Sequence, residues 1–376
     1  MANTIKMTNT TKMNLRRFPV NQPDYEAFDE MMSGLMGVLD SPAAAKATDS
    51  PAAAKATGSP AAAAAAKPAV AGVNGTAETA AAYAAAVREI MDFQDEDGSF
   101  RFLDSYELPS DCRVDFCHMP TYVCTAILIK AFLTDPALLE GREQEIFPKA
   151  LKACCVRGLR GHGYEAEEKR REVQEILDRA GMREFIFANP DFAGYLTEEV
   201  RAQFPGVHVF TYGTLMRGRS NHNAFMADCT YLGDASAEGY DMYDVGHFPA
   251  AVRGKGTIKG ELYLAPLTAI DSLDCLEGEG TLYSRKIIPV QPKTGAELPK
   301  VGAREAGPAE KVQPKTGAVQ TKTGTREAEP AEKLQPEADG TYFAIFYEFL
   351  GDTRGMEPIP EDCQPYTADR KEVAGR

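Results

Sequence analysis

The first half of the chain places apolar residues at helical spacing. Residues 84–91 repeat them at intervals of three and four, which predicts an amphipathic helix. Residues 123–132 are apolar almost all round, which predicts a buried helix. Residues 165–179 are strongly charged apart from one apolar stripe, and Gly181 follows as a stop signal. We therefore predict an all-α domain over residues 81–205.

Beyond Pro205 the pattern changes to short alternating runs. Residues 207–212 predict a strand that ends at Gly213. Residues 231–245 alternate small, polar and aromatic side chains and predict a pair of strands. Further strands are predicted at residues 257–264, 283–290 and 342–349.

One helix is predicted within this second half. Residues 267–277 place leucine and isoleucine at intervals of three. Thr268 is the predicted N-cap with Asp271 three residues later, and Gly278 is the predicted C-terminal stop. Strands and helix together predict a second domain, of mixed structure, over residues 206–350.

Two low-complexity segments divide the chain. The first repeats S-P-A-A-A-K-A-T, and proline interrupts the helix that its alanines favour, so we interpret residues 41–80 as a flexible linker. The second repeats with a period of 22 residues and holds few large apolar side chains. We interpret it, over residues 291–338, as a disordered insertion. Residues 1–40 are then a partly ordered N-terminal segment, and residues 351–376 form a C-terminal tail.

Composition restricts the classes of partner. The 376 residues carry 41 lysines and arginines against 55 aspartates and glutamates, a formal charge of −14. Nucleic-acid binding and docking on anionic membranes need concentrated positive charge, so we predict neither. The chain has no apolar run of about 20 residues and no apolar block behind its first basic residues. These two features and the eight scattered cysteines favour a cytoplasmic protein with reduced thiols. The oligomeric state is left open.

The first candidate for chemistry is the turn after the strand at 207–212. Successive backbone N–H groups at Gly213, Thr214 and Leu215 can form a concave site for an anion. An ordinary strand-to-loop turn is the alternative interpretation.

The second candidate is Glu277, on the last turn of the predicted helix. The negative end of the helix dipole, together with burial, raises the pKa of a carboxyl group there and suits a general base. An exposed glutamate in a fraying turn is the alternative. Glu261 and Glu279 are rival bases, the first in a strand and the second beyond the glycine stop.

A metal site is a further hypothesis. Cys112, Cys117, His118 and Cys124 are residue types that bind zinc, but their spacing fits no common zinc pattern. We interpret them as structural thiols and predict no metal.

A series of motifs follows in order along residues 207–290. The motifs are Y-G-T-L-M-R-G from Tyr212, N-H from Asn221, Y-D-V-G-H-F-P-A from Tyr243, G-E-L-Y from Gly260, L-D-x-L-E-G from Leu273 and Y-x-R from Tyr283. This series resembles the γ-glutamylcyclotransferase-like family, in its AIG2-like and γ-glutamylamine cyclotransferase branch. The resemblance extends to the strand at 342–349 and implies a small α/β domain around a mixed, mostly antiparallel barrel.

The resemblance also implies a reaction. The free α-amine of a γ-glutamyl compound attacks its own γ-carbonyl, which gives 5-oxoproline and a released amine or amino acid. Glu277 aligns with the family's catalytic glutamate and is expected to move the protons. The partner implied is a small-molecule γ-glutamyl substrate, and no cofactor is implied.

The same resemblance implies substrate-binding roles for five further residues. The backbone of the 213–215 turn is expected to hold the carboxylate or carbonyl oxygen of the substrate. Two aromatic side chains are expected to shape the pocket. The five residues are Tyr212, Gly213, Thr214, Leu215 and Tyr283.

The helical domain also resembles a known class of proteins, but less closely than the second domain does. Residues 93–100, F-Q-D-E-D-G-S-F, are similar to turns of α/α-toroid proteins such as terpene cyclases and prenyltransferases, but one copy and a short domain do not make a toroid. Two alternatives to the enzyme remain. One is a binding or regulatory module that keeps the fold without turnover. The other is a toroid-like catalytic fragment with a metal at Cys112, Asp115 or His118.

Overall fold

A computed structural model describes residues 13–41, 77–104, 116–157, 166–293 and 341–365. Nearly all of both low-complexity segments lies outside these residues, and so do Cys112 and Asp115 of the metal hypothesis. The described residues contain no helix of the length and apolar character that a bilayer crossing needs.

The described N-terminal part is helical, and we call α1 to α8 the helical unit. The helices are α1 (Tyr25–Leu39), α2 (Ala77–Phe93), α3 (His118–Thr134), α4 (Glu143–Arg157), α5 (Ala166–Arg179), α6 (Met182–Ala188), α7 (Pro190–Ala193) and α8 (Glu198–Arg201). The apolar run at 123–132 lies in α3, which is buried along nearly its whole length, as predicted. Among the described side chains of the charged helix α5, its stripe of Val173, Ile176 and Leu177 is buried.

The limits of the helical unit differ from those expected. Helix α1, from the N-terminal segment, buries Phe28, Leu35 and Leu39 in the same hydrophobic cluster as α3. Helix α2 begins at Ala77, inside the predicted linker. Both differences have one cause, because an amphipathic helix is stabilised by burying its apolar face against other helices.

The second unit is a closed barrel, which we call the barrel unit. Its strands are β1 (Gly206–Thr211), β2 (Thr230–Asp244), β3 (Pro249–Pro266), β4 (Tyr283–Pro292), β5 (Tyr342–Phe349) and β6 (Glu357–Pro358). Strands pair in the order β3-β1-β5-β4-β2, and β2 pairs with β3 to close the ring. The β1–β5 pair is parallel and the other pairs are antiparallel. The helical region and the mixed, mostly antiparallel barrel confirm the predicted fold class.

Strand alternation decides which side chains meet. In β5, Ala344 and Phe346 join one apolar cluster, and Ile345, Tyr347 and Phe349 join a second. The second cluster also receives Ile270 and Leu273 from helix α10 (Leu267–Glu277). This helix therefore packs against one face of the barrel wall.

The prediction of two strands within residues 231–245 is wrong, because β2 runs unbroken through them. Its register with β3 shifts between Tyr231 and Gly233 and again between Glu238 and Tyr240. Gly239 has φ 83°, a conformation that glycine adopts without steric cost. The extra residue is thus accommodated as a bulge that bends the strand without ending it.

The predicted helix at 267–277 is present, but its start is not as predicted. Gly278 ends α10 in the left-handed conformation, with φ 61°, which confirms the stop signal. Pro266 occupies the N-cap position, and no side chain caps the helix. Thr268 lies inside the first turn, so the predicted capping box is wrong.

Helix α6 joins the two units. The Glu184 Oε1 atom accepts a hydrogen bond from the backbone N–H of His208 in β1, at 2.9 Å. Both residues are buried, and the His208 ring meets Tyr342 of β5 edge-on. Gly181, just before α6, lies against Phe343, where an added Cβ would come within 2.8 Å of the ring.

The described part of the predicted C-terminal tail belongs to the barrel unit. Strand β6 pairs with β2, and Ile359 is buried in a barrel cluster. Its N–H donates to Met242 O at 2.8 Å. The expected boundary at residue 350 therefore differs from the packing, which continues past it.

Candidate functional site

A cavity of about 270 Å³ opens in the barrel unit where three segments meet. These are the loop after β1, the 247–249 connection between β2 and β3, and the C-terminal end of α10. The cavity is lined by all six residues predicted for the site, namely Tyr212, Gly213, Thr214, Leu215, Glu277 and Tyr283.

The loop after β1 contributes backbone donors. Among the described residues, the N–H groups of Gly213, Thr214 and Leu215 donate to no protein acceptor. A Cβ at Gly213 would lie 2.7 and 2.9 Å from the Pro249 ring, so only glycine allows this close approach. The loop thus presents three successive donors beside the cavity, an arrangement suited to a negatively charged oxygen.

Hydrogen bonds from α9 (His222–Phe225) and its N-cap hold this loop in place. Asn221 donates from its backbone to Thr214 O at 3.1 Å and from Nδ2 to Thr214 Oγ1 at 3.0 Å. The His222 Nδ1 atom lies 2.9 Å from Leu215 O. The carbonyl groups of Thr214 and Leu215 are therefore engaged on the side of α9, while the three N–H groups of the loop remain available.

Glu277 is the last residue of α10. Leu273 is buried one turn earlier, so the spacing of four places Glu277 on the side of the helix that faces the barrel. Its carboxylate lies on the cavity wall and has no hydrogen-bond partner among the described residues. Burial raises the pKa of Glu277 from 4.5 to about 7.

The two predicted tyrosines are fixed as walls of the cavity. The Tyr212 hydroxyl donates to Tyr347 O at 2.7 Å, and the Tyr283 hydroxyl donates to Pro249 O at 2.8 Å. Burial raises the pKa of Tyr212 well above its ordinary value, so its hydroxyl stays neutral. These bonds join the residue after β1 to β5, and β4 to the start of β3, around the cavity.

Tyr347 is a cavity residue that the sequence analysis missed. Its hydroxyl donates to Asp274 Oδ1 at 2.7 Å, and Asp274 Oδ2 accepts from Arg285 Nη1. Alternation in β5 assigns Tyr347 to the same face as Ile345 and Phe349, but it does not indicate a cavity. Only the pairing of β5 with β1 and β4 brings the ring there.

Neither rival base lines the cavity. Glu261 is buried, and its carboxylate accepts from Arg217 N at 2.8 Å, Arg217 Nε at 2.9 Å and the Tyr263 hydroxyl at 2.6 Å. Glu279 is exposed and accepts from the backbone N–H of Arg285. Glu261 is thus engaged in a structural network, and Glu279 lies outside the cavity.

For the metal hypothesis, three of the named residues can be located. Cys117 and Cys124 are buried in the helical unit, and His118, the first residue of α3, is partly exposed. The residues that the structure describes contain no group of three or more His, Cys, Asp or Glu side chains arranged to hold a metal ion.

The 93–100 segment that is similar to toroid turns forms the loop after α2. Gly98 has φ 87°, and an added Cβ would lie 2.2 Å from Lys149 O. The Gln94 Nε2 atom donates to Gly98 O and Ile146 O, both at 3.2 Å. These contacts explain the motif as a tight turn that packs against α4.

Comparisons with known proteins match the barrel unit. A family model described as gamma-glutamyl cyclotransferase, AIG2-like, matches residues 209–305. The gamma-glutamylcyclotransferase family protein YtfP of Escherichia coli K12 is 37% identical over 82 residues, which cover 22% of this chain and 72% of that protein. The protein of the same name from Citrobacter rodentium is 35% identical over 82 residues, covering 22% of this chain and 71% of that protein.

A solved structure of an uncharacterized protein from Pyrococcus horikoshii is 20% identical, covers 45% of this chain and 94% of that chain, and has a TM-score of 0.26. The sequence identity of the two relatives, and the share of their length that is matched, decide to which family the chain belongs. The chain belongs to the AIG2-like gamma-glutamyl cyclotransferase family.

Proposed function

We propose that the barrel unit cyclises a γ-glutamyl compound to 5-oxoproline and releases an amine or amino acid. One observation carries the proposal. A glutamate with a pKa of about 7 shares a cavity with three backbone N–H groups that have no acceptor among the described residues. This pairs a group able to move protons with donors able to stabilise a developing oxyanion.

The reaction needs one bond made, one broken and one proton moved between two nitrogens. The α-amine nitrogen attacks the γ-carbonyl carbon, and Glu277 takes the proton that this nitrogen loses. The carbonyl oxygen becomes negative and accepts hydrogen bonds from the 213–215 turn. When the bond to the leaving nitrogen breaks, that nitrogen takes the proton from Glu277.

The elevated pKa suits Glu277 to both steps. A carboxyl group with a pKa near neutrality is partly ionised at physiological pH, so it can accept a proton and then donate it. Because the attack is intramolecular and forms a five-membered ring, much of the rate acceleration comes from holding the substrate in a folded conformation. Tyr212 and Tyr283 are tied to the barrel backbone and supply rigid walls for this.

The lining favours a particular kind of leaving group. Phe248, Leu276 and Leu282 contribute apolar surface, and no lysine or arginine belongs to the described lining. A leaving amino acid carries a carboxylate that finds no cationic partner there. Within the proposed reaction, we therefore expect leaving amines without a carboxylate to be preferred.

The test is release of 5-oxoproline from a panel of γ-glutamyl amides, γ-glutamyl amino acids and glutathione. Glu277→Gln keeps the shape but removes the base, and we expect kcat to fall by about 10²- to 10⁴-fold. Asp271→Asn changes an exposed carboxylate on the same helix and is the matched control, expected to keep wild-type activity. Full activity of Glu277→Gln would exclude the assigned base.

The binding-module alternative predicts a different result from the same panel. It requires that no substrate be turned over while the folded protein still binds γ-glutamyl compounds in calorimetry. That outcome would overturn the proposed reaction and retain the cavity as a binding site.

A further inference from the structure

The helical unit contacts the barrel unit beside the candidate site. Phe187 of α6 is half-buried and packs against the apolar cluster that contains Leu273, Tyr283 and Tyr347. Glu184, three residues earlier on α6, bonds to β1. The barrel wall near the cavity is therefore partly built by a side chain from outside the family-matched residues 209–305.

A continuous line of contacts leads from Phe187 into the cavity. The Arg285 guanidinium lies over the Phe187 ring, 5.0 Å from its centre. The same guanidinium donates to one carboxylate oxygen of Asp274, and the other oxygen accepts from the Tyr347 hydroxyl. We call Phe187, Arg285 and Asp274 the positioning line.

The direction in which Tyr347 donates matters for the candidate base. Tyr347 and Glu277 line the same cavity, but the hydroxyl proton of Tyr347 goes to Asp274. A hydrogen bond from Tyr347 to Glu277 would favour the ionised carboxylate and lower its pKa. With Tyr347 held by Asp274, burial alone sets the pKa of Glu277.

We propose that the helical unit acts on the active site through the positioning line, which holds the Tyr347 hydroxyl on Asp274 and away from Glu277. Phe187 shields the Arg285–Asp274 pair from water. Removing the ring admits water to this half-buried pair and loosens it. Asp274 then competes less well for the Tyr347 hydroxyl, which turns towards Glu277. Phe187 is thus a positioning residue that never touches the substrate.

The experiment follows the ionisation of Glu277 in the full-length protein. Carbon-13 NMR titrates the side-chain carboxyl carbons of ¹³C-labelled glutamate, with the Glu277 signal assigned by its loss in Glu277→Gln. The pH dependence of kcat/KM for 5-oxoproline release provides the kinetic readout. The kinetic arm rests on the proposed function, whereas the NMR arm does not.

We expect Asp274→Ala to lower the Glu277 titration midpoint by about one pH unit and Phe187→Ala by about half a unit. Phe187→Leu keeps an apolar side chain but removes the ring over Arg285, and it should shift the midpoint in the same direction. All three shifts should disappear when combined with Tyr347→Phe, which lacks the hydroxyl. Tyr342→Phe, in β5 beside the charged groups of α5 and away from the positioning line, is the control and should leave the midpoint unchanged.

A purely structural role for Phe187 gives a different pattern. Phe187→Ala and Phe187→Leu would then lower stability or kcat/KM but leave the Glu277 midpoint at its wild-type value, which would overturn the inference. Shifts that persist in the Tyr347→Phe background would overturn it as well. Should the wild type release no 5-oxoproline, the proposed function fails, and the NMR titration still decides the inference.

Discussion

Glu277, the proposed base, also has a cost in stability that depends on pH. Its pKa is about 7 in the folded protein against an ordinary 4.5. The folded state therefore keeps a proton that the unfolded chain releases, so the stabilising contribution is complete below pH 4.5 and is lost as the pH rises through about 7. Above that pH, the folded protein carries a half-buried carboxylate without a hydrogen-bond partner among the described residues.

We predict that Glu277→Gln stabilises the protein at about pH 8 by about 2 kcal/mol, since each pKa unit corresponds to about 1.4 kcal/mol and partial exposure reduces the total. The gain should vanish at about pH 4, where the carboxyl group is protonated in both states. Urea unfolding at the two pH values measures both effects. An equal gain at both pH values would contradict the assigned ionisation.

Gly213 offers a second prediction at the residue scale. In Gly213→Ala the new methyl group meets the Pro249 ring, so the loop must move and its N–H groups lose their alignment. We expect kcat/KM to fall by about 10- to 100-fold while unfolding changes by no more than about 2 kcal/mol. Gly37→Ala in α1 has open space around the new methyl group and is the control, expected to gain stability by about 0.5–1 kcal/mol without a change in activity.

At the scale of elements, helix α6 is the connection between the two units. In Glu184→Ala the buried N–H of His208 loses its acceptor and a small cavity remains. We predict a loss of about 2–4 kcal/mol in the free energy of unfolding, measured in urea. Glu198→Ala on α8, whose ion pair with Arg201 is exposed, should change it by less than about 0.5 kcal/mol. Similar values for the two variants would mean that the α6 contact contributes little.

Some limits of helices and strands could be predicted from local signals in the sequence, and others could not. Gly278 ended α10 as predicted because a left-handed residue is a local requirement. The single strand β2 was predicted as two from the alternation of small, polar and aromatic residues along it, and only the pairing with β3 shows that the strand is continuous. The N-cap of α10 was predicted two residues late, at Thr268, since Pro266 of β3 determines where the helix begins.

At the scale of the whole molecule, the two ends of the repeat segment lie side by side. Val290 of β4 pairs with Tyr342 of β5, and Gln291 Nε2 donates to Thr341 Oγ1. We predict that replacing residues 294–340 by a loop of about five residues preserves fold and activity and stabilises the protein by up to about 2 kcal/mol, because a shorter loop costs less entropy to close. Thermal unfolding and 5-oxoproline release check this. A loss of activity in a folded variant would instead assign the segment a role at the site.

The sequence by itself determined the features that depend on residues close together along the chain. The burial of α3, the stripe of α5, the two faces of β5 and the stop at Gly278 each follow from spacing over a few residues. The ordered motifs of the barrel half also determined the family and indicated six residues that do meet in one cavity.

Only the tertiary structure decided which atoms surround Glu277 and which unit holds them. Tyr212 and Tyr347 lie 135 positions apart, yet a hydrogen bond joins them across the cavity. The contact of Phe187 with Arg285 likewise depends on how α6 packs against the barrel. Such pairs leave no mark in local spacing, because burial and hydrogen bonding act between atoms that the fold brings together.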